Sequence, residues 1–196
     1  MALQRVEITS AERNLLEYIF GTLPSVKADS ARMVKAIRVA FETRSVNQRI
    51  DKYDAQARRL RLPPLSWGNL VDPDGHVEDL EELLTELKES FDGQEGHPTK
   101  EEQADAEKLG KLIRKFKGIA ETRTFTLDDL YLRWLRDLLN DKVDLSKRHT
   151  NQMGQVMESI VPPNPDQIAV FSGLADKIGD AVAGKPAAPP LEGDKS

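Results

Sequence analysis

The stretch from Asp29 to Pro64 reads DSARMVKAIRVAFETRSVNQRIDKYDAQARRLRLPP. Asp29 or Ser30 supplies an N-cap, and Met33, Val34, Ile37 and Phe41 form an apolar stripe at helical spacing. Val46, Ile50, Tyr53, Ala57 and Leu60 carry the stripe on in steps of four and three, and Pro63-Pro64 stops it. Read this way, residues 29–61 form one helix, far longer than the ~11–12 residues usual in globular domains. Two heptads are too few for a coiled coil, so the seam of Val46 to Leu60 predicts a packed helix.

Working outward, helical punctuation recurs. Thr9-Ser10-Ala11-Glu12 and Thr99-Lys100-Glu101-Glu102 have the spacing of capping boxes, and Thr126-Leu127-Asp128-Asp129 is a looser version. The first opens a helix with Leu15, Leu16, Ile19, Phe20 and Leu23 on one face, ended by Pro24. Asp72-Pro73-Asp74-Gly75 reads as a turn, followed by a helix marked by Val77, Leu80, Leu83, Leu84, Leu87 and Phe91. The box at Thr99 opens a helix with Leu109, Leu112, Ile113, Phe116 and Ile119. Behind Thr126, residues 127–139 are apolar over more than half the circumference, which predicts a central helix. Ser146 to Ile160, with Met153, Val156 and Met157, predicts another, stopped by Pro162-Pro163. Asn164-Pro165 opens the last, with proline at the favoured first position. Only Leu3 to Ile8 alternates like a strand. The reading is all-α: a six- to seven-helix bundle with a long second helix, in one domain over residues 1–183. Residues 184–196, rich in glycine and proline, read as a disordered tail. The expected core is Leu15, Ile19, Ile37, Phe41, Leu83, Leu87, Leu112, Phe116, Leu130, Trp134, Leu138, Val156, Ile160 and Phe171.

Ile8 to Phe41 and Phe125 to Ile160 share a layout of capping threonine, leucine helix, polar break and second helix, which reads as coincidence rather than duplication. The first of these, with Ile8-Thr9-Ser10-Ala11-Glu12, Leu15-Leu16, Leu23-Pro24 and Met33-Val34, resembles a unit of small uncharacterised phage and prophage proteins. The resemblance covers about 35 residues and implies a phage-encoded origin; it implies no activity.

The 196 residues carry 28 Lys and Arg against 33 Asp and Glu, a net charge of −5, in segregated blocks. Residues 27–61 sum to +6, residues 72–107 to −12 and residues 108–123 to +5. Clustered charge decides which surfaces attract. There is no cysteine, which excludes disulfides, thiol nucleophiles and cysteine-based zinc sites. No apolar run reaches the ~20 residues a bilayer crossing needs. Met1 to Glu7 lacks the apolar core of a signal peptide, so the expected compartment is the cytoplasm, of the host if the chain is phage-encoded, or the virion.

Phosphate-binding glycine loops and nucleophile-elbow patterns are missing. His76, His97 and His149 are isolated and read as surface residues; Asp72-Pro73-Asp74-Gly75 does not continue as a calcium loop. Neither catalysis, nor a metal, nor a cofactor is expected. The chain reads as a non-enzymatic protein–protein interaction factor: an assembly, accessory or host-modulating protein whose partner is another protein or a second copy. The candidate partner surface is Arg44, Arg49, Lys52, Arg58, Arg59, Arg61 and Trp67, on a projecting hairpin over residues 44–92. There the seam of Val46 to Leu60 is expected to pack on the acidic helix from Val77 to Phe91. The alternative is a nucleic-acid-binding accessory protein using the basic helix 32–61. The acidic pI near 5.4 and the lack of aromatics among the basic residues weigh against it.

Overall fold

The computed structural model describes residues 3–23, 28–92, 99–140, 147–150, 156–161 and 164–184. Among these, eight helices hold most of the residues, and two strand pairs join them. In chain order the elements are β1 (Leu3–Ile8), α1 (Ser10–Thr22), α2 (Ala28–Ala40), α3 (Thr43–Arg59), α4 (Trp67–Val71) and α5 (Pro73–Asp92). Then come α6 (Lys100–Ala120), β2 (Arg123–Asp128), α7 (Asp129–Asn140), β3 (Lys147–Thr150), β4 (Val156–Val161) and α8 (Pro165–Val182). The chain falls into two compact units. Residues 185–196, where the tail is expected, lie outside the described residues.

The first unit comprises residues 1–8, 18–41 and 123–196. β1 pairs antiparallel with β2, from Leu3 opposite Asp128 to Ile8 opposite Arg123. α8 packs on β1, while α2 and α7 pack on each other and on β2. Val6, Ile8, Ile37, Leu127, Leu132, Leu135, Leu174 and Ile178 are buried. Phe41 meets Phe125 edge-on, with ring centroids 5.4 Å apart. Three expectations are corrected here. Arg123 to Asp128 is a strand: Thr124 and Thr126 face out, Leu127 faces in, and β-branched threonine suits that pleat. α7 therefore starts at Asp129, with the Asp128 carboxylate accepting from the Leu130 amide at 2.9 Å. Its buried face is Leu132, Leu135 and Leu139, and Leu130 is half exposed, because the apolar arc of this amphipathic helix is wider than the face the fold covers. The helix expected from Ser146 to Ile160 is replaced by the antiparallel pair β3 and β4, with His149 opposite Met157. Val156, Ile160 and Val161 are β-branched and favour that geometry. A second helical hairpin is thus absent from the described residues, and the two similar layouts are not a structural repeat.

The second unit comprises residues 9–17 and 42–122. The long helix expected over 29–61 breaks at Glu42, whose φ of 53° and ψ of 32° are left-handed. The step of five from Phe41 to Val46 turns the apolar stripe by ~140°, so one straight helix cannot bury both halves on one side. Val46, Ile50, Tyr53 and Ala57 then form the buried face of α3. Their cover is α6, not the acidic helix: α6 packs against both α3 and α5. Leu109, Leu112, Ile113, Phe116 and Ile119 of α6 are buried. α5 begins at Pro73, so Asp72-Pro73-Asp74-Gly75 is its capped first turn, with Asp72 accepting from the Gly75 amide at 3.1 Å. Leu83, expected in the core, is 40% exposed, since α5 buries Leu80 instead.

Both capping boxes form. Thr9 and Glu12 exchange hydrogen bonds of 2.7 and 3.2 Å, and Thr99 and Glu102 bonds of 2.8 and 3.3 Å. The first box delivers Ser10 and Arg13 to the C-terminal end of α6. The Ser10 hydroxyl donates to the Ile119 carbonyl, and the fully buried Arg13 guanidinium donates to the Glu121 carbonyl at 3.2 Å. A cation there faces the negative end of the α6 dipole.

A candidate partner-binding groove

α3 ends in a Schellman turn. The Leu62 amide donates to the Ala57 carbonyl at 2.9 Å and the Arg61 amide to the Arg58 carbonyl at 3.1 Å. Arg61 occupies the left-handed position of that turn, with φ 60°, where glycine is usual. The turn brings Arg59 and Leu60 opposite the outer edge of α6, on which Lys108, Lys111 and Lys115 recur at helical spacing. Together with Gln56 and Arg114 these residues line a groove of about 680 Å³. Five of its seven lining residues are cationic, and Leu60 and the lysine stems give it an apolar floor.

The charges are only partly matched. Lys108 pairs with Asp105 at 2.6 Å and Lys111 with Glu107 at 3.6 Å, both along α6, and Lys115 donates to the neutral Gln56 side chain at 2.7 Å. Exposed pairs of this kind contribute little and exchange readily for a better acid. Arg59 and Arg114 have no acidic partner among the described residues.

A second groove, about 710 Å³, shares Arg59, Leu60 and Lys108 and runs on towards α5. Leu62, Leu83, Leu87 and Leu109 line it with Glu86, Glu101 and Asp105, so the charge along the continuous depression changes from basic to acidic. At the acidic end the Glu102 carboxyl is held below its usual pKa by the amide and hydroxyl of Thr99. Among the described residues no three His, Asp or Glu are grouped to hold a metal ion. No helix among them is long and apolar enough to cross a membrane.

Comparison with protein families, curated proteins and solved structures finds no match to this chain.

The expected surface residues are dispersed. Arg59 lines both depressions and Arg61 the second. Arg44 lies 3.8 Å from Glu17, the carboxylate that also accepts from the buried Thr43 hydroxyl at 2.7 Å. Arg49 donates to the Gly118 carbonyl at 3.2 Å and so ties α3 to α6. Lys52 and Arg58 are exposed and line neither depression. Trp67 is half-buried in the first turn of α4, which the Ser66–Asn69 capping box fixes. Lys108, Lys111, Arg114 and Lys115 join Arg59 instead. Their signal was the +5 block, but pairing it with α3 requires knowing that α6 covers the seam.

His76, expected at the surface, is half-buried in a polar chain that links α3, α4 and α5. The Ser66 amide donates to Asn69 Oδ1 at 2.8 Å, which turns Asn69 Nδ2 to His76 Nδ1 at 3.0 Å. Nδ1 must then accept, leaving Nε2–H to donate to the Tyr53 hydroxyl at 3.1 Å. The imidazole also sits edge-on to Phe116, with centroids 4.6 Å apart. Burial lowers the His76 pKa, and the Asp79 carboxylate opposes that without reversing it. Burial, with Asp54 adding to it, pushes the Tyr53 hydroxyl up to about 12. The network is neutral at pH 7 and tethers α3, α4 and α5.

Proposed function

We propose that this chain is a non-enzymatic interaction factor that binds an acidic protein segment in the groove between α3 and α6. The observation that carries this reading is the convergence of Arg59 from α3 with Lys108, Lys111, Arg114 and Lys115 from α6 around an apolar floor. An acidic amphipathic helix fits such a site: carboxylates meet the cations while its apolar edge covers Leu60. Nucleic acid is the weaker reading. Glu86, Glu101 and Asp105 continue the depression and repel phosphates, and no aromatic side chain lines it for base stacking. The phage-like helix pair at Ile8 to Phe41 supports an assembly, accessory or host-modulating role in a phage-infected cell, with the host cytoplasm as its compartment.

The test is fluorescence anisotropy with a labelled, glutamate-rich amphipathic peptide, set beside single- and double-stranded oligonucleotides of equal charge. The peptide is expected to bind the wild type, and the combined Arg59→Glu, Lys111→Glu and Arg114→Glu substitutions should weaken it at least ~10-fold, about 1.4 kcal/mol. Oligonucleotides bound more tightly than the peptide, with affinity falling steeply in salt, would replace this reading with the nucleic-acid one.

A further inference from the structure

We propose that the occupant of the α3–α6 groove is the acidic helix α5 of a second copy of this chain, the contact being made twice about a two-fold axis. The inference rests on the reading that this groove takes an acidic helical segment, and it names that segment. Glu78, Glu82 and Glu89 are all exposed and follow each other on the outward face of α5, while Glu86 lines the second depression. At steps of four and seven they make one ridge ~16 Å long. The ridge is poorly neutralised by the described residues. The ion pair joining α5 to a neighbouring helix is Glu81 to Lys117, at 2.8 Å, on the flank facing α6. None of the three ridge carboxylates has a cationic partner among the described residues.

The groove presents the opposite pattern. Lys108, Lys111 and Lys115 span ~10 Å along α6, and Arg59 faces them from α3. Convex acidic ridge and concave basic groove are thus complementary in sign, the ridge outreaching the lysine row by about one helical turn, and both belong to the same unit. One copy cannot place its own outward ridge in its own groove, because α5 already packs on α6. Two copies satisfy both surfaces at once if each lends its ridge to the other, and a two-fold closes the assembly as a dimer. Leu83 and Leu60 add an apolar margin, but the attraction is largely electrostatic and so sensitive to salt.

Sedimentation equilibrium of the full chain tests this. A dimer is expected at about 0.02 M salt and a monomer at about 0.5 M, where the Debye length is only a few ångströms. Arg59→Glu with Lys111→Glu makes the groove acidic, and Glu78→Lys with Glu82→Lys makes the ridge basic. Each double variant should be monomeric alone, and an equimolar mixture should form a one-to-one heterodimer, since each ridge then again meets a groove of opposite sign. Because all four positions are exposed, both variants should keep the wild-type circular dichroism; Arg59→Gln with Lys111→Gln serves if the first does not fold. A wild type monomeric at low salt, a larger species than a dimer, or no rescue in the mixture would overturn the proposal. A monomer that still binds the glutamate-rich peptide would leave the groove reading standing and remove only the second copy.

Discussion

The two units are held by different means. The first closes around a strand pair, β1 with β2, whose partners are about 120 residues apart in the chain, and around α7, apolar on most of its sides. The second is helical, with capping boxes at the starts of α1, α4 and α6 and polar residues tethering its walls. The second adds a neutral His–Tyr–Asn chain and buries Glu12 and Arg13, while the charges of its long helices stand in blocks on the outside. The lesson is that segregated charge marks a surface only once packing has decided which helices adjoin.

Truncating the aromatic centre of each unit gives the largest effects and tests how local the two cores are. Phe116→Ala in the second unit and Phe41→Ala in the first should each cost ~3–5 kcal/mol in urea unfolding. Only Phe116→Ala should also move the His76 ring resonances, because Phe116 lies against that imidazole and Phe41 against Phe125. Equal His76 shifts in both variants would mean the cores are not separate.

Acid separates the units further. The folded His76 pKa lies below its ordinary 6.5, so the unfolded chain takes up the proton first. The stabilisation is therefore complete above about pH 6.5 and is lost as pH falls towards the folded value. Protonation at Nδ1 also opposes the Asn69 amide. His76→Phe should abolish this part of the pH dependence, which unfolding titrations between pH 5 and 7.5 would reveal; an unchanged slope would remove His76 as its source.

Arg61 gives the smallest effect. Its left-handed conformation costs a non-glycine residue roughly 1 kcal/mol, so Arg61→Gly should raise stability by up to about that amount. Peptide binding in the first groove should be unchanged, because Arg61 lines only the second.

How far the chain discloses its fold follows the same division. Thr9 to Glu12, Thr99 to Glu102 and Asn164-Pro165 announced their helix starts because capping is local chemistry. The seam of α3 was legible from Val46 to Ala57, and even the break before it was written in the five-residue step after Phe41. β2 was missed because Thr126 to Asp129 mimics a capping box, and its strand partner is remote in sequence. Val156 to Val161 fits helical spacing and strand composition equally, and only its pairing with β3 decides between them. Of the candidate surface, Arg59 was legible as part of a basic run, while Lys108, Lys111, Arg114 and Lys115 were visible only as a separate one. Their junction depends on α6 packing on α3, which neither run encodes alone.

The central claim is that these two basic runs act as one binding surface. Its most direct measurement is the salt dependence of glutamate-rich peptide affinity for the wild type, for Arg59→Gln, for Arg114→Gln and for the double variant. If the runs converge on one ligand, each single substitution should lower the slope of log affinity against log salt, and the double variant should lower it further. Slopes unchanged in all three variants would show that the peptide binds elsewhere and contradict the account.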